Sequence, residues 1–204
     1  MERQDFIRLL SPEGQALLAQ VGPLEAKADV VKLVSSLRAQ GHDAGLVAAV
    51  LTQAKLRRRA LAKFGPFAER MIFTEAGLEQ ASRLSVAALH SNRFRQAGIG
   101  EVADLGCGIG AESMALASLD INVKAFEIDE VTAAVATYNL SPFENAFVEQ
   151  ADVTELDPLE HIGALGHRQQ PVQGCGALDI AGKQAIHLIL HQGLQRRDDD
   201  CQTA

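Results

Sequence analysis

Apolar residues recur at helical spacing through residues 1–96 and then give way to short apolar runs ending in glycines and carboxylates. Ser11-Pro12-Glu13 reads as a helix start, with a serine cap and proline in the first turn. A further start is expected at Pro23, with Val30, Val31, Leu33, Val34 and Leu37 as its apolar face and Gly41 as its end. Asp43 is placed to cap the next helix, whose inner face is Leu46, Val47, Val50, Leu51, Leu56 and Leu61. Gly65-Pro66 closes that helix. Thr74 is expected to cap a long one from Glu75 to about Gln96, and Gly98 and Gly100 lead out of it. Strands are expected near 101–105, 121–127 and 146–150. The pattern predicts an α/β fold: a helical N-terminal region, then the first half of a doubly wound parallel sheet in the order 3-2-1 with right-handed crossovers.

Two of these strands carry candidate chemistry. Val102-Ala-Asp-Leu-Gly-Cys-Gly-Ile-Gly110 has the make-up of a buried strand that breaks into a glycine turn and then a helix, from Ala111 to about Ser118. Gly106, Gly108 and Gly110 leave no side chain between backbone and ligand and permit positive φ where the chain reverses. The helix would aim its first N–H groups at the same spot. Val123-Lys-Ala-Phe-Glu-Ile-Asp129 is a second apolar strand, and Glu127 at its carboxyl end is placed to accept hydrogen bonds from a ribose diol. The two runs together describe a nucleoside-binding crevice.

Two cofactor classes use such a crevice. Gly106, Gly108 and Ala111 satisfy the G-x-G-x-x-G/A pattern of dinucleotide sites, which keeps a nicotinamide-dependent oxidoreductase open. Asp104 argues against it: a carboxylate two residues before the first glycine repels a pyrophosphate but suits a cationic sulfonium with an α-ammonium group. The run D-x-G-x-G-x-G, Asp104 to Gly110, resembles the first motif of class I S-adenosylmethionine-dependent methyltransferases, whose fold is Rossmann-like. The flanks, Met71 to Phe94 upstream and Thr132 to Phe143 with Val148 to Asp152 downstream, resemble bacterial relatives of the trimethylguanosine synthase (RNA cap guanine-N2) methyltransferases.

That resemblance implies S-adenosyl-L-methionine as cofactor and a nitrogen of an RNA base as methyl acceptor. It implies that Asp104 and the turn Gly106-Cys107-Gly108-Ile109-Gly110 hold the methionine part, and that Glu127 binds the ribose with Ile128 as an apolar wall for adenine. Asp152 would accept from the adenine amino group, and Phe73 and Thr74 would close over the ligand. No catalytic general base is named by these residues.

Composition narrows the setting. The 204 residues are 47% hydrophobic, ordinary for one globular domain with a small appendage. No run approaches the ~18 continuous apolar residues of a membrane span. Glu2, Arg3, Gln4 and Asp5 precede any apolar stretch, so a cytoplasmic chain without a secretory signal is expected. Cys107, Cys175 and Cys201 have no short-range pairing and read as free thiols, with Cys107 a small space-filler in the turn. His161, His167, His187 and His191 are not interleaved with cysteines, so no metal site is expected. The net charge of −7 is uneven: residues 1–99 hold 14 Lys and Arg against 9 Asp and Glu, residues 100–204 hold 5 against 17. Lys55, Arg57, Arg58, Arg59 and Lys63 crowd one helix, either as a solvated face or as a phosphate-contacting patch for RNA.

The domains expected are a helical region at 1–70, a cofactor-binding half-domain at 71–160 and an atypical segment at 161–204, partly disordered. Class I methyltransferases continue with a fourth strand ending in an Asp/Asn-Pro motif beside the target base. Here Ala164 to Ala177 is rich in glutamine and glycine, poor strand material, and Asp157-Pro158 lies too close to Asp152 to end a further strand. A helix is expected from Gly182 to about Leu194, and a frayed tail from Arg196. A truncated or frame-altered end, an uncovered sheet edge and a catalytically incomplete or merely RNA-binding module are therefore also expected outcomes.

Overall fold

The computed structural model describes the backbone of residues 1–22, 27–155, 176–180 and 184–190, and the side chains of 1–22 and 30–155. Four helices come first: α1 (Arg3–Leu10), α2 (Pro12–Val21), α3 (Lys27–Ala39) and α4 (Ala44–Phe64). Their ends follow local chemistry. Ser11 Oγ accepts from Gly14 N–H at 3.0 Å and Asp43 Oδ2 from Leu46 N–H at 2.9 Å, each satisfying an orphan donor of the first turn. Gly65, at φ +55°, ends α4 in a backbone conformation that a side chain would strain. The start expected at Pro23 lies outside the described residues. On α3, Leu37 is fully buried, but Val31 is 71% exposed and does not belong to the inner face expected of it.

After α4 the chain makes a 3-10 turn (Gly65–Glu69) and an extended stretch, then enters α5 (Glu75–Gln80) and α6 (Leu84–Gln96). The expected single long helix is two. Thr74 does cap the first, accepting from Gly77 N–H at 2.9 Å. Lys63 of α4 reaches the other end, where its Nζ donates to the carbonyls of Leu78, Glu79 and Ala81 at 2.7–2.8 Å. A cation bound to the last carbonyls closes a helix well, and Arg83 then adopts an extended backbone before α6.

The α/β part runs β1 (Glu101–Leu105), α7 (Ala111–Ala117), β2 (Asn122–Glu127), α8 (Glu130–Leu140) and β3 (Ala146–Gln150), followed by β4 (Gly176–Ile180) and β5 (Gln184–Leu190). Sheet order is β3-β2-β1-β5-β4. The pairs β1–β2, β2–β3 and β1–β5 are parallel, with Asp104 opposite Ala125 and Glu127 opposite Gln150, while β4–β5 is antiparallel. The 3-2-1 order is as expected. The C-terminal segment differs: over Gln184–Leu190 the expected helix is a strand, the rest of its expected span lying outside the described residues, and β5 lies along the edge of β1 that the sequence predicts to be open. Gln184-Ala-Ile-His-Leu-Ile-Leu190 is a nearly continuous apolar run, the pattern of a strand buried in a parallel sheet, and helical spacing of Ile186 and Leu190 does not distinguish the two. The expected tail from Arg196 lies outside the described residues.

Val102, Val123 and Ala125 pack with Phe94, Leu116 and Ala136 of α6, α7 and α8 on one face of the sheet. A larger core joins the N-terminal helices to that layer without interruption: Leu9, Leu17, Leu37, Val50 and Phe64 share it with Ile109, Met114, Val135 and Leu140. Burial of this size is the main stabilising term of the fold. Among the described residues no helix is long and apolar enough to cross a membrane.

Candidate cofactor site

The carboxyl ends of β1, β2 and β3 lie side by side, the place where parallel sheets bind ligands. At the end of β1 the chain reverses through Gly106, Gly108 and Gly110, with φ of +83°, +56° and +86°. All three sit in the left-handed region, which disfavours any residue with a Cβ by roughly 1–2 kcal/mol. Their surroundings differ. A Cβ at Gly106 or Gly108 would meet nothing within 4 Å, whereas one at Gly110 would meet Leu140 at 3.3 Å. Gly110 packs against Leu140, whereas the space beside Gly106 and Gly108 is open, so that a ligand there could approach the backbone directly.

The turn is held on its β2 side. Gly106 N–H and Cys107 N–H both donate to the Phe126 carbonyl at 2.9 Å. Glu127 is half-buried, and its carboxylate accepts from Gly108 N–H and from Asp129 N–H, each at 3.0 Å. One side chain thus fixes the turn and the start of α8, and is itself fixed with its carboxylate at the crevice. Ile128 next to it is 62% exposed, an apolar surface at the same edge. Asp129 caps α8 through Thr132, whose hydroxyl and N–H hold that carboxyl below its ordinary range.

Asp104 belongs to β1, just before the turn. It is completely buried, and its Oδ2 accepts from Ser113 Oγ of α7 at 2.5 Å. Cys107 is buried too; desolvation first, then the Asp104 and Glu127 carboxylates, raise its thiol well above the usual value. It is therefore a protonated filler and a poor nucleophile. Asp152 follows β3, and its Oδ1 accepts from Thr154 N–H at 2.9 Å and Thr154 Oγ1 at 2.7 Å, which hold it below the usual carboxylate range. Phe73 and Thr74 are both buried: Phe73 packs its ring on Phe64 at 5.4 Å, and Thr74 is occupied as the α5 cap.

Two residues that sequence reasoning passed over complete the surroundings. Asn139 of α8 and Gln53 of α4 are buried amides bonded to the backbone of residues 72 and 73. A polar residue on an otherwise apolar helix face was the available signal for both. The basic helix α4 is also largely engaged: Arg57 donates Nε to the Met71 carbonyl at 2.9 Å, Arg59 pairs with Glu75 and Glu79, and Lys63 closes α5. Burial lowers the Arg57 pKa, while the Glu75 bond raises that of Arg59.

Residues 67–163 match the family "Methyltransferase small domain". The matched residues include the glycine turn, Glu127 and Asp152. Residues 2–60 match a separate family, "Domain of unknown function (DUF8688)". Over 112 residues the chain is 33% identical to the uncharacterized S-adenosylmethionine-dependent methyltransferase Rv3037c of Mycobacterium tuberculosis (strain ATCC 25618 / H37Rv), a match covering 52% of this chain and 29% of the relative. The matched part thus spans less than a third of that relative's length. Among solved structures, a Pyrococcus horikoshii protein provisionally described as an RNA methyltransferase is 28% identical, with a TM-score of 0.39 over 50% of this chain and 53% of that one. The amino pentose methyltransferase CalS10 of Micromonospora echinaspora, solved with S-adenosylmethionine bound, is 25% identical, with a TM-score of 0.34 over 43% and 38% of the two chains.

Proposed function

We propose that this chain is an S-adenosyl-L-methionine-dependent methyltransferase acting on a nitrogen of an RNA base. The observation that carries the reading is the turn at Gly106 and Gly108, open to ligand and pinned by Glu127, inside a region that matches the methyltransferase small domain. The cofactor supplies an electrophilic methyl carbon on a sulfonium, so the protein's task is placement. Glu127 takes the ribose hydroxyls with its remaining acceptor capacity, Ile128 covers one face of the adenine, and Asp152 receives the amino group. The turn backbone at Gly106 and Gly108 accommodates the methionine part, and Asp104 adds negative potential from behind through its buried carboxylate.

The RNA assignment rests on the resemblance to trimethylguanosine synthase relatives and on the basic N-terminal half. Of the five cations on α4, Lys55 and Arg58 are exposed, whereas Arg57 is buried and Lys63 closes α5, so Lys55 and Arg58 are the ones offered to phosphate. An RNA substrate and a free, protonated Cys107 thiol both fit a cytoplasmic enzyme.

A second reading has its own observation. β5 extends the sheet beside β1, but His191-Gln192-Gly193 follows it instead of the Asp/Asn-Pro motif that the resemblance implies after a further strand. A module that binds cofactor or RNA without transfer would have this feature. Calorimetric titration with S-adenosylhomocysteine and with NADH, followed by transfer of labelled methyl groups to total RNA, separates the readings. S-adenosylhomocysteine binding with base methylation supports the enzyme, binding without transfer supports the incomplete module, and NADH binding alone supports an oxidoreductase.

A further inference from the structure

Met71–Phe73 is a buried, extended segment outside the sheet, and side chains from two different helices bind its backbone. Asn139 of α8 brackets Ile72: Oδ1 accepts from its N–H at 2.8 Å and Nδ2 donates to its carbonyl at 3.0 Å. Gln53 of α4 brackets Phe73 in the same way, accepting from its N–H at 3.1 Å and donating to its carbonyl at 2.6 Å. Arg57 holds the Met71 carbonyl. The alternation is what an extended chain imposes, since successive backbone groups point to opposite sides.

Asn139 makes one bond more. Its Nδ2 also donates to the carbonyl of Ile109 at 3.0 Å, between Gly108 and Gly110 in the turn. The Ile109 side chain is gripped as well: a Cβ on Gly77 would stand 2.3 Å from its Cγ2, so only glycine lets α5 approach this closely. The glycine turn is thus held from its outer side by one amide and one helix, and both are tied to α4.

We infer that Asn139, with Gln53 behind it, is a positioning residue for the cofactor turn. Through Met71–Phe73 the helical region that matches the domain of unknown function sets the turn's conformation. Its role in the protein is then to brace the cofactor site, and that role rests on reading the turn as the cofactor cradle. An amide that bonds two segments at once transmits a shift of either to the other. A residue that only fills the core would not.

The test uses the full chain with Asn139→Ala, Gln53→Ala and, as control, Leu37→Ala, a fully buried side chain on α3 that makes no hydrogen bond to the turn. Each is compared for melting temperature, S-adenosylhomocysteine affinity, and hydrogen exchange at the amides of Gly106, Cys107 and Gly110 without ligand. Asn139→Ala is expected to weaken affinity about tenfold and to speed turn exchange by a similar factor beyond the control; Gln53→Ala follows in the same direction with a smaller effect. Should Asn139→Ala not fold, Gln53→Ala, which leaves Asn139 in place, carries the same comparison. Turn exchange and affinity equal to those of Leu37→Ala would overturn the inference. If the native chain binds no S-adenosylhomocysteine, the proposed function fails, and the exchange measurement alone still decides whether the amides hold the turn.

Discussion

Glu127 and Arg57 are both charged residues bonded to backbone, yet they belong to regions built for different ends. At the sheet edge, the Glu127 carboxylate accepts from Gly108 and Asp129 and stays half-buried, with Ile128 exposed beside it. On α4, Arg57 is buried and donates to the Met71 carbonyl, while Lys63 and Arg59 bind α5. The edge is a preorganised surface that faces outward. The basic helix is mostly a set of clamps that face inward, and charge density in the sequence does not separate the two uses.

The largest effect is expected at the edge. Gly108→Val places a branched side chain in the open space beside the turn and at positive φ. Calorimetry should show S-adenosylhomocysteine affinity falling roughly a hundredfold, about 2.7 kcal/mol, while Gly110→Val, facing Leu140, should mainly lower the melting temperature. Glu127→Gln should weaken the same ligand about tenfold, since bonds to a charged acceptor contribute about 1.5–3 kcal/mol. On α4, Arg57→Met should cost about 1–3 kcal/mol of stability by leaving a buried carbonyl unsatisfied, with RNA affinity of the folded protein unchanged. Lys55→Ala with Arg58→Ala should reduce RNA affinity and flatten its salt dependence by about 1.4–1.8 in log–log slope. Filter binding at several salt concentrations distinguishes these outcomes.

The smallest effects are titrations. Asp129 and Asp152 have lowered folded pKa values, so their contribution to stability is complete above the unfolded carboxyl value of about 3.9 and declines as pH falls through the folded ones. Asp129→Asn with Asp152→Asn should flatten the acid limb of melting temperature against pH. Cys107 has a raised value and stays protonated in the fold. Stability from it is complete below the unfolded thiol value of about 8.5 and declines as pH rises above it, a loss that Cys107→Ala should remove.

What the sequence shows well is what local physics determines. Ser11, Asp43 and Thr74 cap where expected, because a cap needs only its own next turn. The three parallel strands and the left-handed glycines follow from apolar runs and from conformations that glycine alone adopts freely. The misses depend on distant partners. The break after α5 needs Lys63 from α4, and the inward use of Arg57 needs Met71. Asn139 and Gln53 make bonds across 67 and 20 residues, which no spacing rule reveals. The run that forms β5 carries both periods because it is short and apolar, and pairing with β1 and β4 selects the strand over the helix.

A crystal structure of the chain soaked with S-adenosylhomocysteine decides whether the glycine turn is the cofactor cradle. The expected complex has the compound beside Gly106 and Gly108, with its ribose hydroxyls on the Glu127 carboxylate and its adenine against Ile128. An empty turn, or the compound bound away from Glu127, would contradict it.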